Sequence, residues 1–252
     1  MEIVNIFDKN ILKGVSFSIK KGERLAVIGP NGAGKTTLLN IVSGFNTPIK
    51  GKIIGNYRKE MVFQENLLDD NLTIKQNLRM RLPSKKEYAS VEKMLKSYGI
   101  SNTSLKYKEL SGGQKRIVNL LRVTAMPIDL LILDELSAGV DAKIRKMMWE
   151  ILRTDYAEKL AIIYTTHVLE ELAYADKILY LKRGKIIYYG DSKNFREKLP
   201  MYKLVLNEKN TEYFLTPKKA FDYLEKHPTY LTQSFEIRKV SYEDIFMYQE
   251  GE

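Results

Sequence analysis

Three short clusters hold the residues best suited to chemistry. The first is Gly29-Pro-Asn31-Gly32-Ala33-Gly34-Lys35-Thr36-Thr37. It fits the phosphate-binding pattern G-x-x-x-x-G-K-[ST]. Glycines let the backbone wrap closely, so that the N–H groups from Asn31 to Gly34 can face phosphate oxygens. A helix starting near Lys35 would add the positive end of its dipole. Lys35 is placed to reach the β- and γ-phosphates of a nucleotide, with Thr37 beside it. The Thr36 hydroxyl is placed to hold Mg²⁺. The second cluster is Leu130-Leu-Ile-Leu-Asp134-Glu135, an apolar run ending in two carboxylates. Beside a phosphate loop, Asp134 would serve Mg²⁺ and Glu135 would polarise an attacking water. The third is Leu110-Ser111-Gly112-Gly113-Gln114, 20 residues before Asp134. Alone it reads as a loop entering a helix, with serine as the cap.

The elements that must position these clusters show in the apolar patterning. Arg24 to Ile28, Leu130 to Asp134, Ala161 to Thr165 and Lys177 to Leu181 read as strands, and the first three lead into loops carrying candidate residues. Ligands of open α/β sheets bind at the carboxyl ends of strands. Val15 to Ile19 alternates as a half-buried strand does. Ile74 to Arg81, Val91 to Tyr98 and Gln114 to Thr124 read as helices and suggest an inserted helical subdomain over about 67–125. The fold class expected is α/β: a parallel sheet core, an N-terminal antiparallel β element and that helical insert. Beyond residue 195 the texture changes to short mixed elements, so the division expected is 1–195 and a small appendage, 196–252.

Taken together and in this order, the three clusters resemble the ATP-binding cassette (ABC) ATPases, whose signature is LSGGQ. The resemblance covers roughly residues 1–195. It implies a RecA-like core binding ATP and Mg²⁺, with Glu135 catalytic. It also gives roles to residues that would mean little alone. Gln64, after Met61-Val62-Phe63, corresponds to the glutamine that touches Mg²⁺ and water. His167, after Thr165-Thr166, corresponds to the histidine that contacts the γ-phosphate. Phe7 stands where the family places an aromatic that stacks on adenine. Asp141, ending Ser137 to Asp141, belongs to the loop at the dimer interface. Ser111, Gly112, Gly113 and Gln114 would cap the ATP of a second cassette, head to tail. That partner would be a second copy, although a heterodimer fits the same reading. The other partner implied is a transmembrane permease on a separate chain. The chain departs from the family pattern at Leu136, where proline is usual, and in having only 45 residues between Gln64 and Leu110. Val240-Ser-Tyr-Glu-Asp244-Ile-Phe246 and Thr165-Thr166-His167-Val-Leu-Glu-Glu171 resemble segments of drug- and polysaccharide-exporting members, so export is expected.

Composition agrees with a folded α/β chain. Of 252 residues, 44% are hydrophobic and 29% charged, enough for one sizeable core. The absence of cysteine excludes disulfide and thiolate chemistry. A net charge of +10 suits nucleotides, nucleic acid or an anionic membrane surface. Its lysines and arginines are scattered, and no nucleic acid partner is expected. No apolar run reaches the ~18 residues of a membrane span, and the first ten residues do not read as a signal peptide. A place on the cytoplasmic side of the membrane, held by the permease, is therefore expected. Three other classes compete. A soluble ABC ATPase acting on nucleic acid or ribosomes would carry a long coiled coil or two cassettes in one chain. A kinase or GTPase would lack LSGGQ. A module binding ATP without turnover would have no use for Glu135 and His167.

Overall fold

A computed structural model describes residues 1–63, 68–82, 84–154, 160–207 and 210–248. The chain opens with β1 (Glu2–Asp8) and β2 (Leu12–Ser18), then β3 (Arg24–Ile28), α1 (Lys35–Ser43), β4 (Lys50–Ile54) and β5 (Lys59–Val62). Three helices follow: α2 (Ile74–Arg81), α3 (Lys85–Ser97) and α4 (Gly112–Thr124). Next come β6 (Leu130–Leu133), α5 (Ala142–Thr154), β7 (Ala161–Thr165), β8 (Lys177–Lys182) and β9 (Lys185–Asp191). The remainder holds α6 (Ser192–Lys198), β10 (Tyr202–Leu206), β11 (Asn210–Phe214), α7 (Pro217–Lys226), α8 (Pro228–Leu231), β12 (Phe235–Lys239) and α9 (Tyr242–Tyr248).

The central sheet has the order β5-β6-β7-β3-β8-β9. The pairs β5–β6, β6–β7, β7–β3 and β3–β8 are all parallel. Such strands are covered on both faces, which is why Leu130 to Leu133 is apolar throughout and wholly buried. A second sheet, β2-β1-β4, is antiparallel. The fold is thus α/β, with the parallel core, antiparallel N-terminal sheet and helices expected from the sequence.

Local chemistry sets the element ends. β2 begins at Leu12, three residues before the alternating run, because a tight turn through Lys9 (φ 38°) and Asn10 (φ 64°) pairs Asp8 with Leu12. α3 begins at Lys85 rather than near Val91, because Ser84 caps it through the Lys86 N–H. Thr73 and Gln76 form a reciprocal capping box at the start of α2.

Contacts divide the chain into two compact units. One is Met1–His167 with Tyr174–Tyr189; the other is Val168–Ala173 with Gly190–Glu252. The second unit includes Val168–Ala173, which a cut of the chain at residue 195 would leave with the first. It contains the sheet β11-β10-β12, on which α7 packs through Leu224 against Leu204 and Leu206. The Val240 to Phe246 segment begins its last helix. Ser241 N–H donates to Asp244 Oδ2 (2.7 Å) and Asp244 N–H to Ser241 Oγ (3.3 Å), while Tyr242, Ile245 and Phe246 are buried. The serine and aspartate of that segment are therefore a helix cap, and its apolar residues are core.

Candidate functional site

The candidate nucleotide-site and signature residues within the described chain all fall in the first compact unit, while Val168 to Glu171 and Val240 to Phe246 fall in the second. The phosphate loop joins the end of β3 to α1. Gly29 must be glycine: its φ is 152°, and a Cβ there would stand 2.1 Å from the Leu181 carbonyl oxygen. Gly34, with φ 103°, precedes α1 and leaves its first turn without a side-chain cap. Those N–H groups and the helix dipole are suited to an anion. A cavity of about 300 Å³ lies over the loop. Asn31, Gly32, Ala33, Gly34, Lys35, Thr36 and Thr37 line it, together with Glu135 and Ile11.

Lys35 is 7% exposed, and its Nζ donates to the carbonyls of Gly29 (2.7 Å) and Pro30 (3.2 Å). Burial holds its pKa below the ordinary lysine value, while the charges of Glu135 and Asp134 pull it back up. Any anion that enters meets a partly desolvated cation, where Coulomb attraction is less screened than in water.

The carboxylates stand at the end of β6. Asp134 N–H donates to the Val62 carbonyl on β5 (3.0 Å), which ties the strand end to its neighbour. Thr165, at the end of β7 and 2% exposed, bridges the pair. Its hydroxyl donates to Asp134 Oδ1 (2.7 Å) and accepts from the Glu135 N–H (2.9 Å). His167 Nε2 lies 2.8 Å from Glu135 Oε1. Glu135 has φ 50°, a left-handed conformation that costs a non-glycine residue roughly 1–2 kcal/mol. Thr165, His167 and the Ala138 N–H, which donates to the Glu135 carbonyl (3.0 Å), hold it there. A proline at 136 would push Glu135 toward extended backbone. Leu136 imposes no such restriction.

In the sequence Thr165 showed only as a strand end and as the start of the Thr165 to Glu171 segment, with no role in the site. Its signal was a small hydroxyl residue closing the run Ala161-Ile-Ile-Tyr-Thr165. Thr165→Val should therefore lower stability by about 1–3 kcal/mol, because the Asp134 oxygen and Glu135 N–H lose their partner. It should also lower turnover. Urea unfolding beside a phosphate-release assay checks both. Ile11 was missed as well, since nothing marks an isoleucine in a turn-and-strand stretch as a pocket residue.

The other candidates sit apart from this cavity. Phe7 lies on β1, is 36% exposed and does not line it. Ser111 caps α4 in a reciprocal box: Gln114 N–H donates to Ser111 Oγ (3.2 Å) and Ser111 N–H to Gln114 Oε1 (3.0 Å). Ser111 and Gly112 are exposed. A Cβ on Gly113 would come within 2.9 Å of Ile144 Cγ1, so glycine lets α4 approach α5 closely. None of Ser111, Gly112, Gly113 and Gln114 lines the cavity. Asp141 caps α5, its Oδ1 accepting from the Ile144 N–H (2.9 Å). Gln64 lies outside the described residues.

The oxygen donors suit Mg²⁺. Thr36 lines the cavity, and Asp134 adjoins Glu135, which also lines it, so a hydroxyl and a carboxylate of the hard-oxygen kind lie in this region. Mg²⁺ accepts few protein ligands and completes its shell with water and phosphate.

Comparisons with known proteins place the chain in a family. The family profile "ABC transporter" matches residues 12–138, half of the chain, and the chain belongs to that family. It is 33% identical over 202 residues to the Nod factor export ATP-binding protein I of Burkholderia lata, across 73% of this chain and 66% of that protein. It is 34% identical over 210 residues to the Fe(3+) ions import ATP-binding protein FbpC of Fusobacterium nucleatum, across 76% of this chain and 57% of that one. The chain thus spans less than two thirds of either relative. A solved ATP binding subunit of an ABC transporter superposes with TM-score 0.71 at 25% identity, across 77% of this chain and 91% of that chain.

Proposed function

We propose that this chain is the ATP-binding and ATP-hydrolysing subunit of an ABC transporter. Two copies would close around two ATP molecules and drive a separate transmembrane subunit. The observation that carries the reading is that Lys35 and Glu135 line one cavity over the phosphate loop. The loop N–H groups and Lys35 bind the phosphates, Lys35 exchanging its loop carbonyls for phosphate oxygens. Thr36, Asp134 and Gln64 would hold Mg²⁺, which supplies neutralisation of phosphate charge. Glu135 orients and polarises the attacking water, and His167 holds Glu135 and faces the γ-phosphate. Phe7 stacks on adenine and Ile11 packs beside the nucleotide.

The signature residues act on the other subunit's ATP. Ser111, Gly112, Gly113 and Gln114 open a helix at the surface, where its N-terminus can cap a γ-phosphate presented from outside. Asp141 lies on the same interface. Residues 1–195 carry this chemistry, and 196–252 form the appendage. Among the described residues no helix is long and apolar enough to cross a membrane, which suits a peripheral subunit on the cytoplasmic side. Export is favoured by the Val240 to Phe246 segment. The relatives named above include one exporter and one importer subunit, so identity alone does not separate the directions.

The reading is tested by purifying the tagged chain from its own cells in mild detergent. A polytopic membrane protein should accompany it, and the pair should release phosphate from ATP. Recovery with nucleic acid or ribosomes, free of membrane protein, would favour the soluble class instead.

A further inference from the structure

A second cavity, of about 300 Å³, is lined entirely by residues of the second compact unit. Two sequence segments that the nucleotide chemistry leaves unused meet at it. Leu169 and Glu170 come from the run after His167, and Val240 and Ile245 from the run that leads into α9. The wall is apolar, with Leu172, Leu199, Val240 and Ile245 all buried. Three charged side chains also line the cavity: Arg196 on α6, Lys239 at the end of β12, and Glu170. All three are exposed. Long cationic side chains of this kind lay their stems on apolar surface and keep their heads in water. Carboxylates near these cations in the chain lie against other partners: Glu197 against Lys193 (3.9 Å), Glu236 against Arg238 (3.8 Å) and Asp244 against Lys203 (2.6 Å). Glu170 offsets one of the two lining cations, so the charge left over is positive and single.

We propose that this cavity is a binding site for a single-chain amphiphile with a singly charged anionic head. Its chain lies among Leu172, Leu199, Val240 and Ile245, and its head faces Arg196 and Lys239. An apolar wall alone would take any greasy group; the positive charge beside it selects one that ends in an anion. The volume stands at the lower bound of small-molecule sites, about 300–1,000 Å³, and so suits one chain rather than two. The two cavities share no lining residue, so the site is independent of the nucleotide chemistry.

The test titrates the full chain by calorimetry with hexanoate, octanoate and decanoate, each kept below micelle formation. Affinity should rise about four-fold per added methylene until the cavity is full, as burial of apolar surface dictates. Decanoate should bind more tightly than decanol, and decyltrimethylammonium more weakly than either. Arg196→Gln combined with Lys239→Gln should weaken decanoate by about three- to ten-fold, the size of two solvent-facing charge contacts, and leave decanol unchanged. Ala173→Phe adds bulk at an exposed lining position. It should abolish decanoate binding while thermal stability stays near wild type. If it fails to fold, Met201→Trp, at another exposed lining position, carries the same test. Absence of decanoate binding overturns the proposal. So does binding that the bulky variant leaves intact, or equal affinity for the anionic and cationic amphiphiles. Two other occupants would overturn it as well. Binding to vesicles of phosphatidylglycerol and phosphatidylcholine, without binding of dissolved decanoate, would mark a membrane surface. Loss of a co-purifying membrane protein in Ala173→Phe, again without decanoate binding, would mark a partner's side chain.

Discussion

Glu135→Gln should bind ATP with near wild-type affinity and lose at least about 100-fold in turnover. Glutamine keeps the size and a hydrogen bond toward His167 Nε2, which lies 2.8 Å from Oε1. It removes the charge and basicity that activate water. Lys35, Thr36 and Asp134 are untouched, so nucleotide still loads. Hydrolysis is the exit from the ATP-bound dimer, and a long-lived dimer should accumulate with ATP and dissociate with ADP. Adding Ser111→Arg should abolish that dimer by filling the seat offered to the partner's γ-phosphate. Ser111 also caps α4, so its loss costs about 1 kcal/mol of helix stability. Ser111→Ala separates the two effects: it loses the cap without adding bulk, and should weaken the dimer far less than arginine does. Analytical ultracentrifugation with ATP and with ADP reads the outcome, repeated on the chain assembled with its membrane partner. Wild-type turnover in Glu135→Gln removes Glu135 from catalysis. A dimer indifferent to Ser111→Arg rules out the head-to-tail arrangement.

Lys35→Ala should weaken ATP binding by on the order of 100-fold or more, since charge-assisted hydrogen bonds contribute about 1.5–3 kcal/mol each. The lysine is buried and held by two loop carbonyls, so alanine also leaves Gly29 and Pro30 without their donor. Lys35→Met, which preserves the bulk, separates lost charge from lost packing. Both variants should bind ATP poorly, with Lys35→Met the more stable to heat. The loss should shrink from ATP to ADP and nearly vanish for AMP, because the ammonium serves the β- and γ-phosphates. Titration calorimetry across the three nucleotides checks the order. Equal losses for ATP and AMP would show that the loop had collapsed.

The phosphate loop and the carboxylate pair that line or adjoin the cavity were legible in the linear sequence because each is contiguous. A phosphate loop is built from one stretch of backbone, so glycine spacing and the Lys35–Thr36 pair display it directly. The strand Leu130 to Leu133 was equally clear, since a fully buried parallel strand must be apolar at every position. Ser111 announced a helix start, because a cap acts within the first turn; the reciprocal bond from Gln114 came with the structure. Short local interactions leave local patterns.

Only the tertiary structure decided which residues meet across strands and helices. The Thr165 hydroxyl reaches the Asp134–Glu135 pair because β7 lies beside β6 in the sheet. No spacing in the chain encodes that neighbour. Likewise Ile11 reaches the phosphate cavity, and Arg116 reaches Phe63, through packing between segments far apart in sequence. Residue type alone left both contacts silent, because neither an isoleucine nor an arginine carries in the sequence a sign of the group it faces.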